Sequence, residues 1–144
     1  METLTKGKLE LENGSLYEGE IANGEPNGKG KMTYDDGDVY EGDWINGRWN
    51  GNGKLTLFNG GIYEGDFADG SPHGKGKWTN PDGTFDEGDF VEWDLHGKGK
   101  RTYIDGTIYE GDFVEDFCKG KGKYTYPDGS IYEVDFNELN KIGI

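Results

Sequence analysis

Tyr-Glu-Gly returns at Tyr17, Tyr40, Tyr63 and Tyr109, and every occurrence falls on one grid of 23 residues. Glycine keeps the same grid. Gly19, Gly42, Gly65, Gly88 and Gly111 occupy one column, and Gly28, Gly51, Gly74, Gly97 and Gly120 another. A fixed period of this size marks a stack of one supersecondary unit, because a unit so short buries its apolar face only against its neighbours. Cut at residue 5, the chain reads as six units: 5–27, 28–50, 51–73, 74–96, 97–119 and 120–142. An N-terminal tail, 1–4, and a C-terminal end, 143–144, lie outside them.

Residues 28–50 show what one unit is. Two alternating segments, 29–34 and 39–45, flank an Asp-Gly turn, which predicts a β-hairpin. Gly30, Met32 and Tyr34 share one face of the first strand; Tyr40, Gly42 and Trp44 share one face of the second. Both apolar sets face the same way only if cross-strand partners are both even-numbered, so the loop must be odd in length. A three-residue loop with its glycine in the left-handed region fits. The expected pairs are Tyr34 with Tyr40, Met32 with Gly42 and Gly30 with Trp44, the glycines leaving room for large partners. Helix is a poor alternative, because glycine recurs inside both segments and the apolar spacing is two.

Extended along the chain, these positions become columns. Tyr17, Tyr40, Tyr63, Tyr109 and Tyr132 form one, and Trp44, Phe67, Phe90, Phe113 and Phe136 another. The first strands add Trp78 and Tyr124, with Tyr34, Tyr103 and Tyr126 beside them. The predicted architecture is all-β: an elongated, twisted or curved single-layer antiparallel ribbon of six stacked hairpins. No second layer is left to cover the aromatic face, so part of it should stay open as a groove for a partner. Three polar residues interrupt those columns, Asn80, Asp86 and Arg101, all near the junction of units four and five. Parity puts Asp86 and Arg101 on one face in consecutive strands, which predicts a salt bridge, with Asn80 opposite Asp86 completing a polar patch.

The other face carries a lysine column, Lys8, Lys31, Lys54, Lys77, Lys100 and Lys123, set opposite Glu20, Asp43, Asp66, Asp89, Asp112 and Asp135. These rows read as a solvated, self-neutralised surface. Net charge is −14, from 29 acidic against 15 basic residues, which opposes nucleic acid and anionic lipid at long range. No apolar run approaches a membrane span and no secretory leader is recognisable, so the expected location is the cytoplasm. Any attachment to cytoskeleton or membrane would then run through partners.

Tyr63-Glu64-Gly65-Asp66-Phe67, Asp69-Gly70, His73-Gly74-Lys75-Gly76 and Tyr124-Thr125-Tyr126-Pro127-Asp128-Gly129 together resemble MORN repeats (membrane occupation and recognition nexus). The resemblance runs through residues 5–142. It implies an elongated, curved run of hairpins and a scaffolding role, in partner docking or as the non-catalytic arm of larger proteins. The family name implies a second reading, a membrane-associated module for phosphoinositide lipids. The sequence departs from the pattern at Asp86, where Phe85 would substitute through a local bulge, and at Val134, which replaces a glycine. Glu92-Trp93 and Glu115-Asp116-Phe117 replace Asn-Gly, so differently shaped later loops are expected.

No constellation for catalysis survives inspection. Gly70–Gly76 lacks the spacing and the Ser/Thr of a phosphate loop. His73 and His96 lie one repeat apart, too far to share a metal, and read as surface turn histidines. Asp35-Asp36-Gly37-Asp38 lacks calcium-loop spacing. Cys118 reads as a bystander thiol in a connecting loop. The expectation is a non-enzymatic protein-interaction scaffold without cofactor or metal, docking an amphipathic helix or extended apolar segment along the aromatic columns. It would be a monomer, or associate weakly end to end through edge strands near Leu9–Glu12 and Tyr132–Phe136.

Overall fold

The computed structural model describes residues 3–137. Among the described residues there is almost no helix and the elements are strands, and the chain divides into two compact units, residues 1–72 and 73–144. Unit 1 holds β1 (Thr5–Glu10), β2 (Leu16–Ala22), β3 (Glu25–Thr33), β4 (Val39–Ile45), β5 (Arg48–Thr56) and β6 (Ile62–Ala68). The division falls inside β7 (Ser71–Thr79). Unit 2 continues with β8 (Phe85–Val91), β9 (Asp94–Thr102), β10 (Ile108–Val114), β11 (Phe117–Thr125) and β12 (Ile131–Asp135). Within each unit the strands pair antiparallel in chain order, so the all-β, hairpin-by-hairpin expectation holds.

Cross-strand partners are both even-numbered, as parity requires, and the pairing differs from expectation by two residues. Met32 pairs with Tyr40, Gly30 with Gly42 and Gly28 with Trp44. The loop itself is the expected three residues. Tyr34 N–H donates to the Asp38 carbonyl at 2.8 Å, and Gly37 sits between them at φ 98°. Tyr34 therefore faces Asp38 and not Tyr40, which the three-residue loop already requires. In the equivalent loops Asp82, Asp105 and Asp128 accept the backbone N–H two residues on, from Thr84, Thr107 and Ser130. Those hydrogen bonds, led by the side-chain bond from Thr84 or Ser130 for Asp82 and Asp128 and by the Thr107 amide for Asp105, hold the carboxyls below their usual range.

The hairpins that link one repeat to the next close through two-residue turns, and here the expectation of altered later loops is corrected. Asn23-Gly24, Asn46-Gly47 and Asp69-Gly70 have both residues at positive φ, the type I′ geometry. Glu92-Trp93 (φ 46° and 80°) and Glu115-Asp116 (47° and 74°) keep the same geometry without glycine. Neighbouring turns are strapped together. Asn27 Oδ1 accepts the Asn46 N–H at 2.8 Å, and His96 Nδ1 accepts that of Glu115 at 3.4 Å. His73 and His96 lie on strands β7 and β9, exposed, and not in turns.

The glycine columns explain the core. The Tyr40 ring lies across Gly53, where an added Cβ would come within 2.3 Å of the hydroxyl; Tyr17 over Gly30 and Tyr109 over Gly122 repeat this at 2.0 and 2.2 Å. Each glycine is a floor for a tyrosine. The hydroxyls of Tyr17, Tyr40 and Tyr63 then donate to the carbonyls of Glu20, Asp43 and Asp66 at 2.6, 2.8 and 3.0 Å. Burial first, then Asp43, pushes the Tyr40 hydroxyl pKa upward, so the donor state persists. Trp44 meets Tyr17 and Tyr40 edge-on at 5.4 and 5.0 Å, and Phe67 meets Tyr40 and Tyr63 in the same way. A further core column went unread in the sequence. Trp49 pairs with Trp44, Leu95 with Phe90 and Cys118 with Phe113. Cys118 thus belongs to β11 and not to a connecting loop, and burial raises its thiol pKa.

On the charged face the expected lysine–acid pairing also moves by two. Lys31 faces Glu41, while Lys29 faces Asp43 and forms an ion pair with it. Lys75 with Asp89 (2.6 Å) and Lys98 with Asp112 (2.5 Å) repeat that bridge. The acids also fasten backbone: Asp43 Oδ2 accepts the Asn52 N–H at 3.0 Å. At the ends, the edge strands cover Thr5–Glu10 and Ile131–Asp135, so Leu11 and Glu12 fall in the first loop.

Candidate functional site

The aromatic columns are largely core, and this narrows the expected groove. Tyr17, Tyr40, Trp44, Tyr63, Phe67, Phe90, Tyr109 and Phe113 are buried, because rings lying over glycines cover one another. Those eight present almost no surface to a partner. Tyr34, Trp78, Tyr124 and Phe136 are half-buried, and Tyr103, Tyr126 and Tyr132 are exposed. Among the other large apolar residues left exposed are Ile104 and Trp93, beside Phe58 and Phe117.

One cleft stands out, and it lies wholly within unit 2. It has a volume of about 450 Å³, and its lining includes Trp78, Trp93, Tyr103, Asp86, Arg101 and Asp116. Its origin is a single departure from the repeat. Where Tyr17, Tyr40 and Tyr109 each cover two glycines, Asp86 is too short to cover Gly88 and Gly99, and Leu95, with Phe113 at Gly99, takes that floor instead. The remaining space stays open. Asp86 keeps the tyrosine's register, paired with Trp78 and Arg101, so no bulge brings Phe85 into its place. Phe85 lies under the Lys77 ammonium, 4.2 Å from the ring centre.

The expected salt bridge is present. Arg101 Nε donates to Asp86 Oδ1 at 2.8 Å and Nη2 to Oδ2 at 3.1 Å, a bidentate pair. A third acceptor is Asp116 Oδ1, 3.3 Å from Nη2 and 3.2 Å from the Leu95 N–H. Desolvation works against the charge on Arg101, but hydrogen bonding and attraction from Asp86, then Asp116, hold its pKa above the ordinary value. The guanidinium also lies 5.1 Å above the Phe113 ring. Asn80 is near and not opposite Asp86: it accepts from Trp78 Nε1 at 2.7 Å and donates to Thr84 Oγ1 at 3.0 Å. Burial, then the neighbouring Cys118 and Tyr124, push the Tyr103 hydroxyl up to about 12, so it is neutral at any ordinary pH.

Trp93 and Asp116 were missed as site residues, although a signal was there. Both occupy the second turn position, where unit 1 has Gly24, Gly47 and Gly70. Trp93 brings its indole edge-to-face against Trp78, 6.4 Å between centres at 84°. Among the described residues, no group of His, Cys, Asp and Glu is arranged to hold a metal ion.

Hairpins repeated on a fixed grid, tyrosine over glycine, with the variable residues gathered at the rim, define a β-hairpin repeat protein. The family profile of the MORN repeat matches residues 17–39, 40–62, 63–85, 87–108 and 109–131, and the chain belongs to that family. The matched segments skip one residue between 85 and 87, which is Asp86. Among solved structures, the chain is similar to the SAS-4 (dCPAP) TCP domain in complex with a proline-rich motif of Ana2 (dSTIL) of Drosophila melanogaster. Identity is 17% and the TM-score 0.42, over 92% of this chain and 88% of that one. The comparison with curated proteins returns no match.

Proposed function

We propose that the chain is a non-catalytic protein-interaction scaffold that docks an extended or amphipathic partner segment on the exposed rim of unit 2. The supporting observation is a run of two adjoining clefts there. Beside the Asp86–Arg101 cleft lies a second, of about 570 Å³, lined in part by Tyr103, Ile104, Tyr124 and Tyr126. Tyr103 and Thr84 belong to both. Side by side they suit successive side chains of one extended segment, with exposed tyrosines of the kind that dominate binding energy. The phosphoinositide reading is weaker, because Lys29, Lys75 and Lys98 are bridged to aspartates that cancel their attraction for anionic headgroups. The proposed setting is the cytoplasm, with any membrane or cytoskeletal attachment made through partners.

Changing Tyr103 and Tyr126 together to Ser is expected to weaken capture of a native-cell partner by at least about tenfold, since a hot-spot aromatic contributes about 2 kcal/mol or more. Charge reversal at Lys54 and Lys77 should leave capture nearly unchanged. The measurement is quantitative co-purification, with circular dichroism to confirm the fold of each variant. Equal loss from both pairs would remove the rim assignment.

A further inference from the structure

We propose that the Trp78–Trp93 cleft receives one basic side chain, an arginine or a lysine, from that partner segment. This rests on the docking reading and adds what is recognised. Charge is the first argument. Asp86 and Asp116 set two carboxylates against the single guanidinium of Arg101, which leaves one negative charge in the cleft. Asp86 is spent on its bidentate pair and its side chain is 12% exposed, whereas that of Asp116 is 47% exposed. The unbalanced carboxylate is therefore the outer one. Glu92, Asp94 and Glu115, in and beside the two turns, add to the same field.

The walls supply the second argument. Two indoles at nearly a right angle, with Tyr103 beside them, offer faces that attract a cation and cover the aliphatic stem behind it. An anionic group would need a guanidinium to spare, but Arg101 is committed to both carboxylates. A wholly apolar side chain would take the half-exposed Asp116 carboxylate out of water and add nothing to the bonds it already accepts from Arg101 and the Leu95 N–H.

The third argument is strain. Trp93 at φ 80° and Asp116 at φ 74° hold a conformation that suits glycine, and glycine serves the same turn three times in unit 1. The two side chains that break this rule are the ones that shape the cleft and charge its mouth. Backbone strain kept at one place, with its side chains aimed into one cavity, points to recognition.

The test is selection of random dodecapeptides displayed on phage against the full chain at physiological ionic strength. The expected outcome is enriched peptides sharing one arginine or lysine at a fixed place. Replacing it by citrulline or Nε-acetyl-lysine should lower affinity about tenfold, or about 1.4 kcal/mol. Asp116→Asn should do the same. Asparagine tolerates the left-handed turn and keeps an oxygen for the Leu95 N–H, so that variant folds and changes charge alone. Peptides that lose affinity with Tyr103→Ser but share no basic residue would overturn this inference and leave the docking reading standing. No enrichment, or binding indifferent to both Tyr103→Ser and Asp116→Asn, would overturn both.

Discussion

Arg101→Met alone will destabilise the protein more than Arg101→Met combined with Asp86→Leu. The bidentate pair is mostly withdrawn from water, with side chains 23% and 12% exposed. Removing the guanidinium leaves the Asp86 carboxylate among Trp78, Phe90 and the other rings lining the cleft, with Asp116 as a second negative charge nearby. Orphaning one member of such a pair costs about 3 kcal/mol, whereas replacing both by apolar groups is near neutral. Urea unfolding at neutral pH of the two single variants and the double gives the coupling directly. Additive effects would show that the pair is not the interaction holding the cleft floor.

Tyr40→Ala should cost about 3–5 kcal/mol, the usual toll for emptying a buried aromatic site. The geometry adds a more specific expectation at Gly53, which faces the Tyr40 ring from the next strand. A Cβ there would stand 2.3 Å from the tyrosine hydroxyl and 2.6 Å from Cζ. Gly53 has no positive φ, so alanine meets no backbone penalty and the conflict is purely steric. Gly53→Ala should therefore destabilise by about 1–3 kcal/mol through overpacking. In the Tyr40→Ala background the same change should cost little, because the ring it collides with is gone. A Gly53→Ala penalty equal in both backgrounds would refute the reading of these glycines as floors for tyrosine.

Much of this was legible in the sequence because the repeat reports it again and again on one grid. Period-two alternation gave the strands, and parity put Met32, Tyr40 and Trp44 on one face. Parity alone does not choose among registers that differ by two, and the three-residue Asp35-Asp36-Gly37 loop was the datum that decided it. The same reasoning found Asp86 and Arg101 as partners, since consecutive strands and shared parity leave few alternatives. What misled was exposure. A single-layer sheet suggests an open aromatic face, but rings laid flat over glycine columns shield each other, so Tyr40 and Tyr63 became core and not groove. Trp93 and Asp116 were hidden for a different reason. Loss of Asn-Gly read as a changed loop, whereas strand pairing on either side forces the type I′ turn on whatever residues stand there. Their side chains then point where no glycine could.

The central claim is that unit 2 accepts strain at Trp93 in order to recognise a partner, and Trp93→Gly tests it most directly. Glycine relieves a left-handed conformation that costs about 1–2 kcal/mol, which offsets much of what is lost with the indole, about 0.5–1.5 kcal/mol for the edge contact with Trp78 on top of the area it buries. Thermal unfolding and peptide affinity, measured on the same preparation, should therefore move apart. The expected result is a midpoint that changes little while affinity for the selected peptides falls at least about tenfold, as for a hot-spot tryptophan. A lowered midpoint with affinity unchanged would show that Trp93 is packing, and would contradict the account.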